Sequence, residues 1–248
     1  MVKNKYCWLI WSMILPLLSF SQKKTKTEEY SFLSIPHIEI DGNLDEWKGH
    51  FYQKDSELWQ CALALEGDHL YAAVVVKDPA LQNEAIMRGI LLNLSYNTKK
   101  KDGAQLLFPV ADKESIRALR NDEDRDKSNI KQDILQASRG YLVKGFTKVR
   151  DGLLSFQNDY GIKAVAKLDS SNVLLYEASI PLDLIHFKSD SIAVQVAVIT
   201  QYMLMQKIAR DRPSNNTMGM YGIYRPTQPT LKDPYSEKTE IWVTGSIK

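Results

Sequence analysis

The sequence predicts an all-β domain, specifically an antiparallel β-sandwich of the jelly-roll or immunoglobulin-like kind. Short stretches of alternating apolar and polar residues recur along the chain, which is typical of strands with one face on a core. Turn-forming residues stand between these stretches. A parallel α/β fold is disfavoured, because the sequence shows no regular alternation of strands with helices. The 248 residues suffice for one large all-β domain.

Two hairpins carry most of this prediction. Residues 58–77 alternate up to a Gly-containing turn at 66–68 and then return as a β-branched strand. Residues 161–180 repeat the pattern around a polar turn at 169–172. Further strands are predicted at 35–40, 89–95, 104–110, 141–146, 191–201 and 239–244.

Two stretches depart from the strand pattern. Residues 112–138 are highly charged, contain helix formers and show weak helical spacing, so a helical excursion of one or two short helices is predicted there. Its charge run at 120–127 is interpreted as a solvated surface. Residues 203–238 are rich in Pro, Tyr, Met and Gly, have no steady period and are predicted to form a long loop.

The first 21 residues have the features of a secretory signal peptide. Lys3 and Lys5 precede an apolar run at 7–18, and small residues follow near Ser21. The run is too short for a good membrane span and is interrupted by Pro16; an uncleaved anchor is the alternative. We therefore expect an exported protein (periplasmic, cell-surface or secreted) with no membrane span after cleavage, a polar leader at 22–34 and the sandwich at 35–248.

Cleavage near Ser21 would change both charge and cysteine content. The formal net charge of +2 would fall to 0, because the removed segment holds two lysines and no acidic residue. A neutral domain is poorly suited to nucleic-acid binding, which needs clustered basic residues. Cys61 would remain alone, so no intramolecular disulfide is expected, and its thiol is interpreted as a small buried apolar group.

Three motifs, in order, resemble those of family 9 carbohydrate-binding modules and related DOMON-like sandwich domains of exported bacterial proteins. They are residues 38–47 (IEIDGNLDEW), 68–79 (DHLYAAVVVKDP) and 176–181 (YEASIP). The similarity extends over about 35–248. It implies a sandwich fold, a carbohydrate ligand and a structural calcium ion. The acidic pair expected after the second motif is missing, because the next strand has the sequence RGILLN at 88–93.

The implied calcium site would draw on Asp41, Asp45 and Asp78. Calcium takes six to eight oxygen ligands, and carboxylates from loops commonly supply them. The alternative is that Asp41 caps its own turn through the backbone while Asp45 and Glu46 face water. Apart from the haem considered below, no other cofactor is expected.

A carbohydrate site needs an aromatic platform with polar groups beside it. Trp47 and Trp59 are predicted to be core residues, whereas Trp242 in the closing strand could serve either role. Loop tyrosines and arginines are the other candidates, although packing within the loop is the alternative for each tyrosine. The candidate ligand-binding residues are Tyr202, Arg210, Arg212, Tyr221, Tyr224 and Trp242, with Tyr235 as a further loop tyrosine.

No catalytic constellation is visible in the sequence. The four histidines are scattered singly, and neither a nucleophile-elbow motif nor a phosphate-binding glycine loop is present. The main hypothesis is a non-catalytic module that binds carbohydrate. An envelope protein as partner, contacted through 203–238, is the alternative. A weaker hypothesis is haem binding through methionines, for which core filling is the competing interpretation; these are Met203, Met205, Met218 and Met220.

Overall fold

The computed structural model describes residues 30–121, 129–211 and 232–247. They form two antiparallel sheets with few helices, and apolar side chains from both sheets share one core. The prediction of an antiparallel β-sandwich is confirmed. The signal peptide, most of the polar leader and most of the charge run lie outside the described residues.

The smaller sheet has four strands and contains both predicted hairpins. Its strands are, in spatial order, β1 (Trp59–Glu66), β2 (His69–Val76), β8 (Leu174–Pro181) and β7 (Lys163–Leu168). The first hairpin pairs Trp59 with Val76, and the two hairpins meet where β2 pairs with β8.

The larger sheet has six strands. In spatial order these are β10 (Glu240–Ser246), β9 (Ser191–Val198), β3 (Ile90–Leu94), β4 (Ala104–Phe108), β5 (Tyr141–Lys144) and β6 (Gly152–Leu154). All of its neighbouring strands are antiparallel.

The helices connect strands at the edges of the sandwich. They are α1 (Pro79–Arg88), α2 (Lys113–Asn121), α3 (Ile130–Gln136) and α4 (Gln201–Asp211), with a 3-10 turn at Leu182–Leu184. The predicted helical excursion is confirmed by α2 and α3. In the part of the chain that the structure describes, no helix combines the length and the apolar character needed to cross a membrane.

The core lies between the sheets and follows the predicted alternation. Trp59, Cys61 and Leu63 project inward from β1, and Val194 and Val196 project inward from β9; all five are fully buried. The predictions that Trp59 and Cys61 are core residues are confirmed. Desolvation by this burial raises the pKa of the Cys61 thiol.

The predicted strand at 35–40 is wrong. This stretch belongs to no sheet, and the nearest ladder contact is a single parallel bridge between Leu33 and Ala64. Pro36 has no N–H to donate, and His37 has a φ of +56°, so the backbone cannot continue a ladder there.

Residues 30–52, which we call the covering segment, instead run along the edge strand β1 and cover the outer face of the four-stranded sheet. Leu33 exchanges backbone hydrogen bonds with Leu63 and Leu65, and Tyr52 N–H donates to the Cys61 carbonyl at 2.7 Å. Trp47 is fully buried in a second cluster with alanines of β1 and β2, so its prediction as a core residue is confirmed. Residues 30–34, predicted as leader, already pack against the domain.

Two helices were not predicted. Asp78 begins α1 as its N-cap, accepting from the Leu81 N–H at 2.7 Å, and Pro79 follows it. Helix α4 replaces the first part of the predicted loop, and the Thr200 hydroxyl accepts from the Met203 N–H at its start. The prolines and glycines that favoured a loop all follow residue 211.

Candidate functional site

The outer face of the six-stranded sheet carries a row of mostly polar side chains. Register places Trp242 beside Gln195, Gln195 beside Asn93, Asn93 beside Gln105 and Gln105 beside Lys144. Their strand neighbours on either side face the core, so this polar row points away from the core. The polar row therefore crosses five strands.

Hydrogen bonds fix part of this row. The Gln195 amide donates to Glu240 Oε2 at 2.5 Å and accepts from the Asn93 amide at 3.2 Å. Asn93 is buried and also holds the β3–β4 loop, because it donates to the Lys101 carbonyl and accepts from Gly103 N–H. This network orients the Gln195 amide and anchors the loop beside it.

Two other side chains of the polar row have unused hydrogen-bonding groups. Among the described residues, neither the Trp242 Nε1 nor the Gln105 side-chain amide has a hydrogen-bond partner. Trp242 and Gln105 are both partly exposed. A ligand on this face would therefore meet an indole ring, its N–H and an amide that can both donate and accept.

A groove of about 660 Å³ lies over the Trp242 end of the polar row. Helix α4 lines one side through residues such as Tyr202, Met203 and Arg210, and the β3–β4 loop lines it through residues 100–102. Trp242, Gln195, Gln105 and Leu91 from the strands also line it. The groove is thus an open depression on the sheet between a helix and a loop.

A second, smaller hollow of about 230 Å³ adjoins the groove. It is lined by Leu107, Leu142 and Lys144, among others, and it shares Leu91 and Gln105 with the groove. Beside the polar row, register aligns four leucines across the strands, and we call them the leucine row. Its members are Leu91, Leu107, Leu142 and Leu153.

The structure brings together three of the predicted ligand-binding residues. Tyr202, Arg210 and Trp242 all line the groove. Tyr202 and Arg210 lie on α4 and not on the predicted loop. The other three candidates, Arg212, Tyr221 and Tyr224, lie outside the described residues. Tyr235 is half-buried against the core and is not among the groove's lining residues.

The amides of the polar row were not among the predicted ligand-binding residues. A signal was present, because Asn93, Gln105 and Gln195 are each single polar residues between apolar neighbours in a strand. Alternation placed them on the outer face, but it did not show that they lie in one line. That alignment depends on strand order and register, which bring β10, β9, β3 and β4 side by side.

The predicted calcium ligands are engaged separately. Asp41 Oδ1 accepts from Asn43 N–H at 2.6 Å, whereas Asp45 contacts the Asn43 amide and pairs with Lys48 at 2.8 Å. Asp78 caps α1. No group of three or more His, Cys, Asp or Glu side chains able to hold a metal ion occurs within residues 30–121, 129–211 and 232–247. The donor set present does not fit the implied calcium ion.

The methionines considered for haem are also separated. Met203 lines the groove, and its Sδ accepts from the Thr239 hydroxyl at 3.5 Å. Met205, on the same helix, is 41% exposed and is not among the lining residues. Met218 and Met220 lie outside the described residues.

One buried carboxylate, that of Glu177, lies on the opposite side of the sandwich. Its Oε1 accepts from Trp47 Nε1 at 2.9 Å and its Oε2 from Gly42 N–H at 2.7 Å. Burial raises the pKa of Glu177 to about 7, although both hydrogen bonds lower it. Because both oxygens are committed to the covering segment and the side chain is inaccessible, we assign Glu177 a structural role.

No family model matches the sequence, and no curated protein or solved structure matches it either. The resemblance to family 9 carbohydrate-binding modules therefore stays a prediction from three sequence motifs.

Proposed function

We propose that this chain is the non-catalytic binding module of an exported protein and that its ligand is a carbohydrate held in the groove. The observation that carries the proposal is the position of Trp242, whose partly exposed indole lies in the groove beside the amide of Gln195. The amide of Gln105 lines the same groove three strands along the sheet from Trp242. An aromatic ring can pack on the apolar face of a sugar, while amides can donate to and accept from its hydroxyls.

The charge of the groove supports a ligand without high charge. Five basic and four acidic side chains line it, so neither sign dominates. A polyanion such as nucleic acid binds where lysine and arginine are clustered without nearby carboxylates. The basic residues are Lys100, Lys101, Lys207, Arg210 and Lys238, and the acidic ones are Asp102, Asp211, Asp233 and Glu240.

The test is a glycan array combined with affinity electrophoresis in soluble polysaccharides. Trp242→Ala is expected to weaken binding by about thirtyfold, because truncating a tryptophan hot spot costs roughly 2 kcal/mol. Tyr160→Ala is the matched control, since Tyr160 is 39% exposed and lies outside the groove. Unchanged binding by Trp242→Ala, or no binding of any glycan, would contradict the proposal.

Export is part of the proposal and has its own test. After expression in a bacterial host, the mature protein in the envelope or medium is expected to begin near Gln22. Intact mass spectrometry would detect this. A protein that keeps residues 1–21 would contradict cleavage without bearing on the ligand.

An envelope protein is the second candidate ligand, and the leucine row favours it. Leu142 and Leu153 are 42% and 60% exposed, and contiguous exposed apolar side chains rimmed by polar residues mark interaction sites. Under this alternative, Leu142→Ser would abolish co-purification of a defined envelope protein, and the glycan array would remain blank.

A further inference from the structure

We infer that the groove binds several consecutive units of a linear polysaccharide, laid across the strands, and not a single sugar. This inference rests on the proposed function and specifies its substrate class. Three features carry it: the two depressions adjoin each other, they run across the strands, and they are open at the β6 end.

That the depressions adjoin follows from shared residues. Leu91 and Gln105 line both the groove and the smaller hollow. The two adjoining depressions together therefore extend from Trp242 on β10 to Gly152 on β6. A single sugar in contact with Trp242 would leave the hollow by Leu142 and Lys144 empty.

Direction follows from what borders the groove. Helix α4 follows the end of β9, and residues 100–102 follow the end of β3, which is antiparallel to β9. The two borders thus stand at opposite ends of the strands, so the depression between them crosses the strands. Adjacent strands are about 4.8 Å apart, which gives roughly 19 Å from β10 to β5. That distance accommodates several consecutive sugar units.

The β6 end is open. Gly152 has no side chain, a Cβ built there meets no atom within 4 Å, and Leu153 beside it is well exposed. A chain that follows the polar row can therefore continue past β6. The polar row would hydrogen-bond to the hydroxyl edge of the polysaccharide, and the leucine row would pack against its apolar edge.

The test is calorimetric titration with linear gluco-, xylo- and manno-oligosaccharides, from the monosaccharide to the hexasaccharide. In the series that binds, affinity is expected to rise with length by about tenfold or more, and then to level off when the chain spans the strands. Leu142→Ser and Lys144→Ala should weaken only the longer members, whereas Trp242→Ala should weaken all of them.

The outcomes separate the two proposals. Equal affinity for the monosaccharide and the hexasaccharide would overturn the inference and leave carbohydrate binding intact. So would an equal loss for short and long members in Leu142→Ser. A blank titration in all three series, together with a blank array, would overturn both proposals, and co-purification of an envelope protein lost in Leu142→Ser would then identify the occupant as protein.

Discussion

The outer face of the four-stranded sheet carries small residues such as Ala62, Ala64 and Ala73, whereas that of the six-stranded sheet carries leucines, amides and Trp242. The alanines leave room for the covering segment, which buries Trp47 against them. On the other sheet the larger side chains remain partly exposed in a groove. One face is therefore sealed by the chain itself, and the other is partly open to solvent.

Trp47 and Trp242 show the same contrast between a sealed face and an open face. Trp47 is fully buried and donates its Nε1 proton to the buried Glu177 carboxylate at 2.9 Å. Trp242 is partly exposed, and the residues described here supply no acceptor for its Nε1. A buried polar group without a partner is costly, so a satisfied indole belongs to the core and an unsatisfied accessible one is available for binding.

The largest expected effect tests this contrast directly. Trp47→Ala should lower the free energy of unfolding by about 3–5 kcal/mol, because it leaves a cavity and an unpaired carboxylate. Trp242→Ala should lower it by less than about 1 kcal/mol, as expected for a side chain outside the core. Urea denaturation followed by far-UV circular dichroism measures both. Equal losses would mean that Trp242 is a core residue, which would undermine the proposed site.

The second effect is a pH dependence that originates at Glu177. Its pKa is about 7 in the folded protein against an ordinary value of 4.5, so between these pH values the unfolded chain releases a proton that the folded chain keeps. Stability should therefore fall as pH rises from 4.5 to 7, at up to about 1.4 kcal/mol per pH unit, and this contribution should be level above pH 7.

The matched variants are Glu177→Gln and Glu39→Gln. Glu177→Gln should be less stable at acidic pH but should lose this pH dependence, since an amide does not titrate. Glu39→Gln removes an exposed carboxylate of the covering segment and should keep the pH dependence. Denaturant midpoints measured from pH 4.5 to 8 would show the difference. A slope that survives in Glu177→Gln would have to come from another group.

Sequence pattern predicted the strands well because burial on one face leaves a period of two. The hairpins at β1–β2 and β7–β8 follow directly from alternation and turn residues. The pattern failed in the covering segment, since Ile38 and Ile40 are spaced like strand residues but pack, together with Ile35, as an irregular strap. At Asp78 it gave no indication of the helix N-cap that the structure shows.

The candidate site was predictable only in part. Trp242, Tyr202 and Arg210 were chosen for their chemistry, and all three line the groove. The alignment of Gln195 with Gln105 was not predictable, because both pair with Asn93 across strand boundaries. Gln195 is 102 positions from Asn93 in the sequence, and Gln105 is 12 positions from it. Composition averaged over 203–238 also concealed α4, which ends before the prolines and glycines begin.

A third, smaller effect compares two glycines with positive φ. Gly42, in the covering segment, has a φ of +79° and a built Cβ only 3.0 Å from Val165 Cγ1; Gly67, in the β1–β2 turn, has a φ of +56° and no such contact. Gly67→Ala should cost about 1 kcal/mol for the left-handed backbone alone. Gly42→Ala should cost roughly 1 kcal/mol more, because it also strains the contact that brings its N–H to Glu177.

Thermal and urea unfolding of the two alanine variants would measure that difference. Similar losses for Gly42→Ala and Gly67→Ala would indicate that the covering segment can shift away from Val165 at little cost. The sealed face would then be more adaptable than its close contacts suggest.

A last comparison places one hydroxyl on each outer face. Ala73→Ser puts it beneath the covering segment, where a buried hydroxyl without a partner costs about 1–3 kcal/mol. Leu142→Ser puts it on the open face, where a substitution away from the core should change stability by about 0.5 kcal/mol or less. Although leucine loses far more apolar volume than alanine, the alanine substitution should be the more damaging. Paired urea titrations decide the order, and the reverse order would mean that Leu142 is covered in solution, so that the leucine row would not be free to receive a ligand.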